Sequence, residues 1–327
     1  MRSSHVSRLD RSISAIGQGC WQIGADWGDV ASETAQEILA AAADAGVTFF
    51  DTADVYGDGR SERAVGAFLA QRRDAGITVA TKMGRRADPH TPDAYNLDNY
   101  RRWTDRSRDN LGVDTLDLVQ LHCPPEEVLN NPQTYDDLRT LTQEGRIARW
   151  GVSVETSAQA LRALDEPDLA TIQIILNIFR RKPLDEVVPR ANAAGVGIIA
   201  RVPLASGLLS GKYSEATTFA ENDHRTFNRD GKAFDIGETF AGVPYEVGVE
   251  AAREVALLTP EGWTTAQMSL AWIVAVGAGT VIPGASRPQQ ARDNAAAGAI
   301  ESLDDATLAA LKAIYEERIA PHVAERW

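Results

Sequence analysis

Eight short apolar runs recur along this chain, and stretches of helical periodicity separate most of them. The runs lie at 15–19, 48–51, 77–82, 116–122, 149–153, 172–177, 197–202 and 280–283. The helical stretches lie at 33–45, 61–70, 97–111, 134–144, 158–164, 184–194 and 264–276. Strand and helix in continuous alternation build a parallel sheet with helices outside it, and eight strands close that sheet into a barrel. The fold predicted is therefore α/β: one (β/α)8 TIM barrel domain over residues 1–327, a length that suits such a barrel. Ala45-Gly46, Ala75-Gly76 and Ala194-Gly195 end helices just before strands, as left-handed caps do. Ser32 and the pair Ser61-Glu62 are expected to open helices.

Two segments break the alternation. Residues 214–245 are polar, with scattered Gly, Asn and Asp, and are too long for an ordinary connector. They are predicted to form an extended lid or binding loop. Residues 304–319 read as a C-terminal helix beside the barrel mouth.

The net charge of −13 argues against nucleic acid or an anionic membrane surface as a partner. The basic runs Arg101-Arg102 and Arg180-Arg181-Lys182 are too short to say otherwise. No run approaches the ~18 apolar residues of a membrane span, and residues 1–5 open no signal peptide. A cytoplasmic protein is expected, a monomer or weak homo-oligomer acting on a small molecule. Cys20 and Cys123 have neither disulfide-framework nor metal-ligand spacing. They are expected to pack near the site, without a role as nucleophiles. Asp51 and Glu62 stand at the ends of a possible calcium loop, but Ala53 and Val55 occupy ligand positions, so no metal is expected.

The chemistry gathers at strand ends. The run from Val47 to Phe50 stops at Asp51, and Tyr56 follows in a turn rich in Gly and Asp. Lys82 ends the third apolar run and His122 the fourth. Polar groups at the C-terminal mouth of buried parallel strands are how such folds build active sites. A free phenol has a pKa of about 10. A neighbouring ammonium favours the phenolate, so Lys82 is expected to lower Tyr56, with Asp51 holding the ammonium. His122 can bond a substrate oxygen. Together the four groups can protonate a carbonyl oxygen while hydride reaches its carbon. No side chain donates hydride, so a nicotinamide is implied. No Gly-x-Gly-x-x-Gly follows a strand, so a Rossmann domain is not supported.

These residues carry a resemblance. The stretch from Asp51 to Gly57 with Ser61-Glu62, and the stretch from Asp114 to His122, resemble the signatures of the aldo-keto reductases, in that family's order. The nearest branch is the bacterial inositol-operon and general-stress reductases, on Ala205 to Tyr213 with Thr217-Thr218-Phe219. The resemblance implies a barrel that reduces aldehydes and ketones with NADPH, NADH being the poorer fit. It makes Tyr56 the general acid, Lys82 its pKa modulator, Asp51 the lysine's partner and His122 the orienter of the carbonyl.

It also implies cofactor contacts. Gly19, Cys20 and Trp21 would border the nicotinamide end, and Ser153 and Gln173 would bind its carboxamide. Pro203, Leu204, Gly207, Leu208, Gly211 and Lys212 belong to the loop over the pyrophosphate, where small residues admit backbone N–H groups. Gly284, Ser286, Arg287, Gln290 and Asn294 form the adenosine end, with a guanidinium and a helix N-terminus suited to the 2′-phosphate.

Three residues depart from the family pattern. Val154 replaces an Asn, Leu176 stands where many relatives carry Tyr, and Arg201 replaces the aromatic residue under the nicotinamide. A guanidinium can stack there too, and its charge would favour the reduced cofactor. Trp21, Trp27, Met83, Arg85, Arg86, Pro124, Phe179 and Arg201 are the pocket candidates. Keto sugars or related polyols and a broad range of small aldehydes both suit them. The alternatives are a sugar or polyol dehydrogenase working oxidatively and a cofactor-binding regulatory subunit.

Overall fold

The computed structural model describes residues 1–24, 31–72, 76–221, 223–233, 235–300 and 302–327. Two strands, β1 (Ser3–Val6) and β2 (Arg11–Ser14), pair antiparallel as a hairpin. Eight more follow: β3 (Gln18–Gly19), β4 (Phe49–Asp51), β5 (Thr78–Met83), β6 (Leu116–His122), β7 (Ile147–Ser153), β8 (Thr171–Ile175), β9 (Gly197–Arg201) and β10 (Thr280–Val281). They form one parallel sheet in sequence order. The sheet closes on itself. Gly17 N–H donates to Val281 O at 2.7 Å, Val281 N–H to Ala15 O at 3.0 Å, and Gly19 N–H to Pro283 O at 3.0 Å. All eight apolar runs are barrel strands, and Leu116–His122 has the predicted bounds.

The outer helices are α1 (Ser32–Asp44), α2 (Arg60–Gln71), α3 (Leu97–Leu111), α4 (Glu126–Asn130), α5 (Pro132–Gln143), α6 (Ser157–Ala163) and α7 (Val187–Ala194). A short α8 (His224–Phe227) lies in the lid. Then come α9 (Tyr245–Leu257), α10 (Thr265–Ala275), α11 (Pro288–Ala296), α12 (Asp305–Ile314) and α13 (Ala320–Val323). A wider turn, Tyr315–Ile319, joins the last two, so the expected C-terminal helix is interrupted.

Alternation along each strand divides the apolar side chains into two cores. Phe50, Val79, Val119, Leu121, Val152 and Ile172 join the large core shared with the helices. Phe49, Ala80, Leu118 and Ile199 face the barrel interior, where Val6, Leu9 and Ile13 of the hairpin plug the end away from the strand mouths. Two residues further along each strand, the same inward face carries Asp51, Lys82, Gln120 and Arg201. The strand period thus converts an apolar plug at one end into polar chemistry at the other.

Helix α1 starts at Ser32 and α2 one residue before Ser61, as expected, but neither serine caps its helix. Ala31 precedes α1 without a side-chain cap, so Ser32 does not cap it. Gly59, left-handed at φ +82°, precedes α2. Ser61 instead donates to Cys20 O at 2.8 Å and accepts from Thr52 Oγ1 at 2.8 Å, which staples the Tyr56 turn to β3. Glu62 accepts from Thr81 Oγ1 at 2.6 Å and Asn110 Nδ2 at 2.8 Å. Gly57 has φ +57°, and a Cβ there would overlap the Gly24 carbonyl, so the residue after Tyr56 must be glycine. Gly46 and Gly195 are left-handed, as expected. Trp27 and Ala75 lie outside the described residues.

Candidate active site

Asp51, Tyr56, Lys82 and His122 meet at the C-terminal mouth of the barrel. Lys82 Nζ lies 2.5 Å from Asp51 Oδ1, 2.9 Å from Thr52 O and 3.4 Å from the Tyr56 hydroxyl. All three ammonium protons therefore have partners. Lys82 is 0% exposed and Asp51 2%. The other Asp51 oxygen accepts from Gln173 Nε2 at 2.7 Å and Gln120 Nε2 at 3.4 Å. Tyr56 is flanked by Trp21, stacked at 6.1 Å between centroids, and by His122, edge-on at 5.9 Å.

Burial sets the titration of these groups. It raises the Tyr56 phenol above its ordinary value; Lys82 pulls the other way and does not prevail. The expected net lowering by Lys82 is thus reversed, because the desolvation of a phenolate outweighs the attraction of one ammonium. Burial would drop the Lys82 ammonium, but Asp51 and Tyr56 outweigh it and hold the lysine above its usual value. His122 is pushed well below the ordinary imidazole range by burial, then by Arg85, Lys82 and Arg201. Its Nδ1 is buried without a hydrogen-bond partner.

A lowered pKa keeps the imidazole neutral as pH falls through the range where a free histidine, with a pKa of about 6.5, takes up its proton. We expect 15N-labelled His122 to show neutral-ring shifts at about pH 6. Imidazolium shifts at that pH would contradict the assignment of a neutral donor.

One cavity of about 550 Å³ runs from this mouth between β3, β9 and the start of α11. Among the expected residues, Gly19, Cys20, Trp21, Asp51, Tyr56, His122, Gln173 and Arg201 line it, as do Pro203, Leu204, Gly207, Gly284, Ser286 and Gln290. Lys82 sits beneath its wall. Ser153, Leu208, Gly211, Lys212, Arg287 and Asn294 do not line it. Ser153 is buried beside Cys123, with Oγ and Sγ 3.9 Å apart. Leu208 is buried in the helix-side core, and Gly211 caps the turn Ala205–Ser210 in a left-handed conformation. Lys212 is exposed. Asn294 donates to Gly284 O at 3.1 Å, and Ser286 donates to Gln290 Oε1 at 3.2 Å. Arg287 is exposed and precedes α11.

Several pocket candidates lie elsewhere. Met83 and Phe179 belong to the helix-side core; Met83 must face it because Lys82 faces inward. Arg86 pairs with Asp58 at 2.5 Å, and Pro124 does not line the cavity. Val154 and Leu176 also sit in the helix-side core. Burial pushes the Cys123 thiol up to about 12 and Cys20 higher still, as befits inert packing thiols.

Arg201 is no isolated cation. Its guanidinium lies 2.7 Å from Glu155 Oε2 and 3.3 Å from Glu238 Oε1. Two carboxylates offset its charge, which removes the electrostatic argument for a bias toward the reduced cofactor. Ser206 and Tyr213 of the expected pyrophosphate loop also line the cavity, as do Gln22, Val55, His224, Arg225 and Glu238, which the sequence did not single out. His224, Arg225 and Glu238 come from the aperiodic segment 214–245, where no periodicity marks an inward side chain. That lid packs over the mouth: the His224 ring lies 5.4 Å from Trp21, and Tyr213, Phe219, Phe240 and Tyr245 pack ring against ring.

Comparisons agree with this architecture. A sequence model of the Aldo/keto reductase family matches residues 15–316. The aldo-keto reductase yakc of Schizosaccharomyces pombe, whose name designates NADP(+), is 28% identical over 312 residues, 91% of this chain and 87% of that protein. An uncharacterized oxidoreductase of Mycobacterium tuberculosis is 31% identical over 304 residues, 88% of this chain and 85% of that protein. The solved glycerol dehydrogenase AKR11B4 from Gluconobacter oxydans superposes with a TM-score of 0.78 at 26% identity, covering 99% of this chain and 97% of that one.

Proposed function

The chain belongs to the aldo/keto reductase family, and from that premise we propose that it reduces small aldehydes or ketones, keto sugars and related polyol carbonyls among them, with NADPH. The observation that carries this reading is the buried Asp51–Lys82–Tyr56 chain opening beside His122 into one cavity. NADPH, when bound, would supply the hydride for the carbonyl carbon. Tyr56 gives its hydroxyl proton to the carbonyl oxygen, and neutral His122 donates a hydrogen bond that holds that oxygen. Lys82 stabilises the phenolate left behind, and Asp51, fixed by Gln173, keeps Lys82 charged and in place.

The residues present fit the cofactor. Gln22 Oε1 is buried beside Gly284 without a hydrogen-bond partner, so the adenosine side of the cavity keeps a free acceptor. Pro203, Leu204 and Gly207 would cover the pyrophosphate, and Ser286 with Arg287 would hold the 2′-phosphate. Arg287 is exposed at the N-terminal end of α11, where a guanidinium and helix dipole favour an anion. The name of the yakc relative supports NADP over NAD. The protein is read as one barrel domain, a cytoplasmic monomer or weak homo-oligomer that engages neither nucleic acid nor membrane.

Alcohol oxidation is the same chemistry reversed, and the likeness to a glycerol dehydrogenase favours testing it. The raised Tyr56 keeps the phenol protonated at neutral pH, which suits reduction; oxidation needs the phenolate and gains as pH rises. The cofactor reading is tested with Arg287→Ala. We expect the KM for NADPH to rise about tenfold, the loss of one charge-assisted contact, with the KM for NADH unmoved. Equal effects on both cofactors would remove Arg287 from the phosphate site.

A further inference from the structure

Four charged side chains from four elements meet beside the cavity. Arg85 follows β5, Glu155 follows β7, Arg201 ends β9, and Glu238 belongs to the lid turn Ile236–Glu238. Arg201 is 8% exposed and Glu238 6%. The contacts are unequal. Arg201 meets Glu155 at 2.7 Å within hydrogen-bond geometry. It meets Glu238 at 3.3 Å, and Arg85 meets the same Glu238 oxygen at 3.6 Å. Neither approach is a hydrogen bond: Glu238 Oε1 and Arg201 Nε are both buried without one. Glu155 is therefore the fixed anchor of Arg201, and Glu238 is the contact that can be released.

Titration agrees with that geometry. Burial opposes ionisation of Glu155, but Arg201 and its neighbours outweigh it and hold the carboxyl at about 2. Burial raises Glu238.

Glu238 also sits where the lid is tied to the barrel. Its carbonyl accepts from Ser206 Oγ at 2.8 Å, and the same hydroxyl oxygen accepts from Phe240 N–H at 3.2 Å. Three residues earlier, Asp235 faces Arg180 at 3.6 Å. Arg180 stacks on Trp327 at 3.8 Å and donates to the Glu155 carbonyl. The lid, the Glu155 turn and the Arg201 wall thus share one set of contacts.

We propose that Glu238 is a positioning residue: docking of the lid brings its carboxylate against Arg201 and fixes the plane of that guanidinium, so that closure of the lid and completion of the cavity wall are one event. Arg201 is a platform only when its fork is held on two sides, by Glu155 from the barrel and Glu238 from the lid. A guanidinium is suited to this because two carboxylates on its rigid fork fix the orientation of its plane, whereas an ammonium is a compact point charge with no plane to fix. The part of this inference that concerns the cofactor rests on the NADPH reading above; the part that concerns the lid does not.

The test uses Glu238→Gln and Arg201→Lys in the full chain, with two readouts. Without cofactor, limited trypsin digestion reports the lid through the exposed sites Arg229 and Lys232. Both variants should be cut about tenfold faster there than wild type, the size of an ordinary coupling between two sites. With cofactor, stopped-flow fluorescence should show NADPH leaving about tenfold faster from both. Combining the two substitutions should add little to either alone, because both break one contact. Wild-type digestion rates in both variants would overturn the latch. Faster digestion with no NADPH binding in any form, wild type included, would keep the latch and sink the NADPH reading. Full additivity in the double variant would show that Glu238 does not act through Arg201.

Discussion

Tyr56→Phe should lower kcat for carbonyl reduction by about 10²–10⁴, the contribution of a positioned proton donor, and leave NADPH affinity essentially unchanged. The substitution removes one oxygen. That oxygen lies 3.4 Å from Lys82 Nζ, which keeps its bonds to Asp51 and the Thr52 carbonyl. The ring keeps its contacts with Trp21 and His122. Packing therefore survives and chemistry does not. A variant retaining more than a tenth of wild-type turnover would show that another group donates the proton. The loss should fall on kcat, because the proton moves only in the transition state.

Lys82→Met should damage both activity and stability. It leaves Asp51, 2% exposed, without its counter-ion. Removing one member of a buried pair costs about 3–5 kcal/mol, read as a lower urea midpoint. Gln173 and Gln120 still donate to the stranded carboxylate and set the lower end of that range. Restoring neutrality with Asp51→Asn in the same chain should recover much of the stability and none of the turnover, since the phenolate still lacks its cation. If Lys82→Met alone denatures at the wild-type urea concentration, Asp51 is not held as the geometry describes. Full stability and full activity together would remove Lys82 from the mechanism.

The barrel was legible because its strands, apart from a few positions near the starts of β6 and β7, are buried on both faces and read as short apolar runs. The polar residue ending such a run was informative for the same reason: Asp51, Lys82 and His122 interrupt apolar stretches where nothing but function or pairing retains a charge or an imidazole. The hairpin β1–β2 escaped notice because Ser-Ser-His-Val and Arg-Ser-Ile-Ser are mostly polar, and their few apolar side chains matter only as a plug for the barrel end. Helix α9 begins just where the aperiodic segment ends, and Gly248 weakens its helical signal. In the structure that glycine gives room to Leu208, whose methyl lies 2.7 Å from where a Cβ would stand.

The sign of the Tyr56 shift was not legible either. The sequence displays Lys82, which lowers a phenol, and hides the burial that raises it. Arg201 read as a lone cation for a similar reason. Its partners, Glu155 and Glu238, sit in a strand-to-helix turn and an aperiodic lid, where spacing says nothing about which side chain turns inward. Strand ends are readable because period two fixes their direction; lids are not.

The central claim, carbonyl reduction with Tyr56 as the acid, is tested most directly by the pH profile of NADPH oxidation at small hydroxyaldehydes and ketones, with alcohol product counted against cofactor consumed. A phenol raised by burial stays protonated through neutral pH and is lost only in the alkaline range. The predicted result is one alcohol per NADPH, a rate flat through neutrality and falling at alkaline pH, and no such limb in the residual activity of Tyr56→Phe. NADPH that binds and is never consumed by any carbonyl, or an alkaline limb that persists without the Tyr56 hydroxyl, would contradict it.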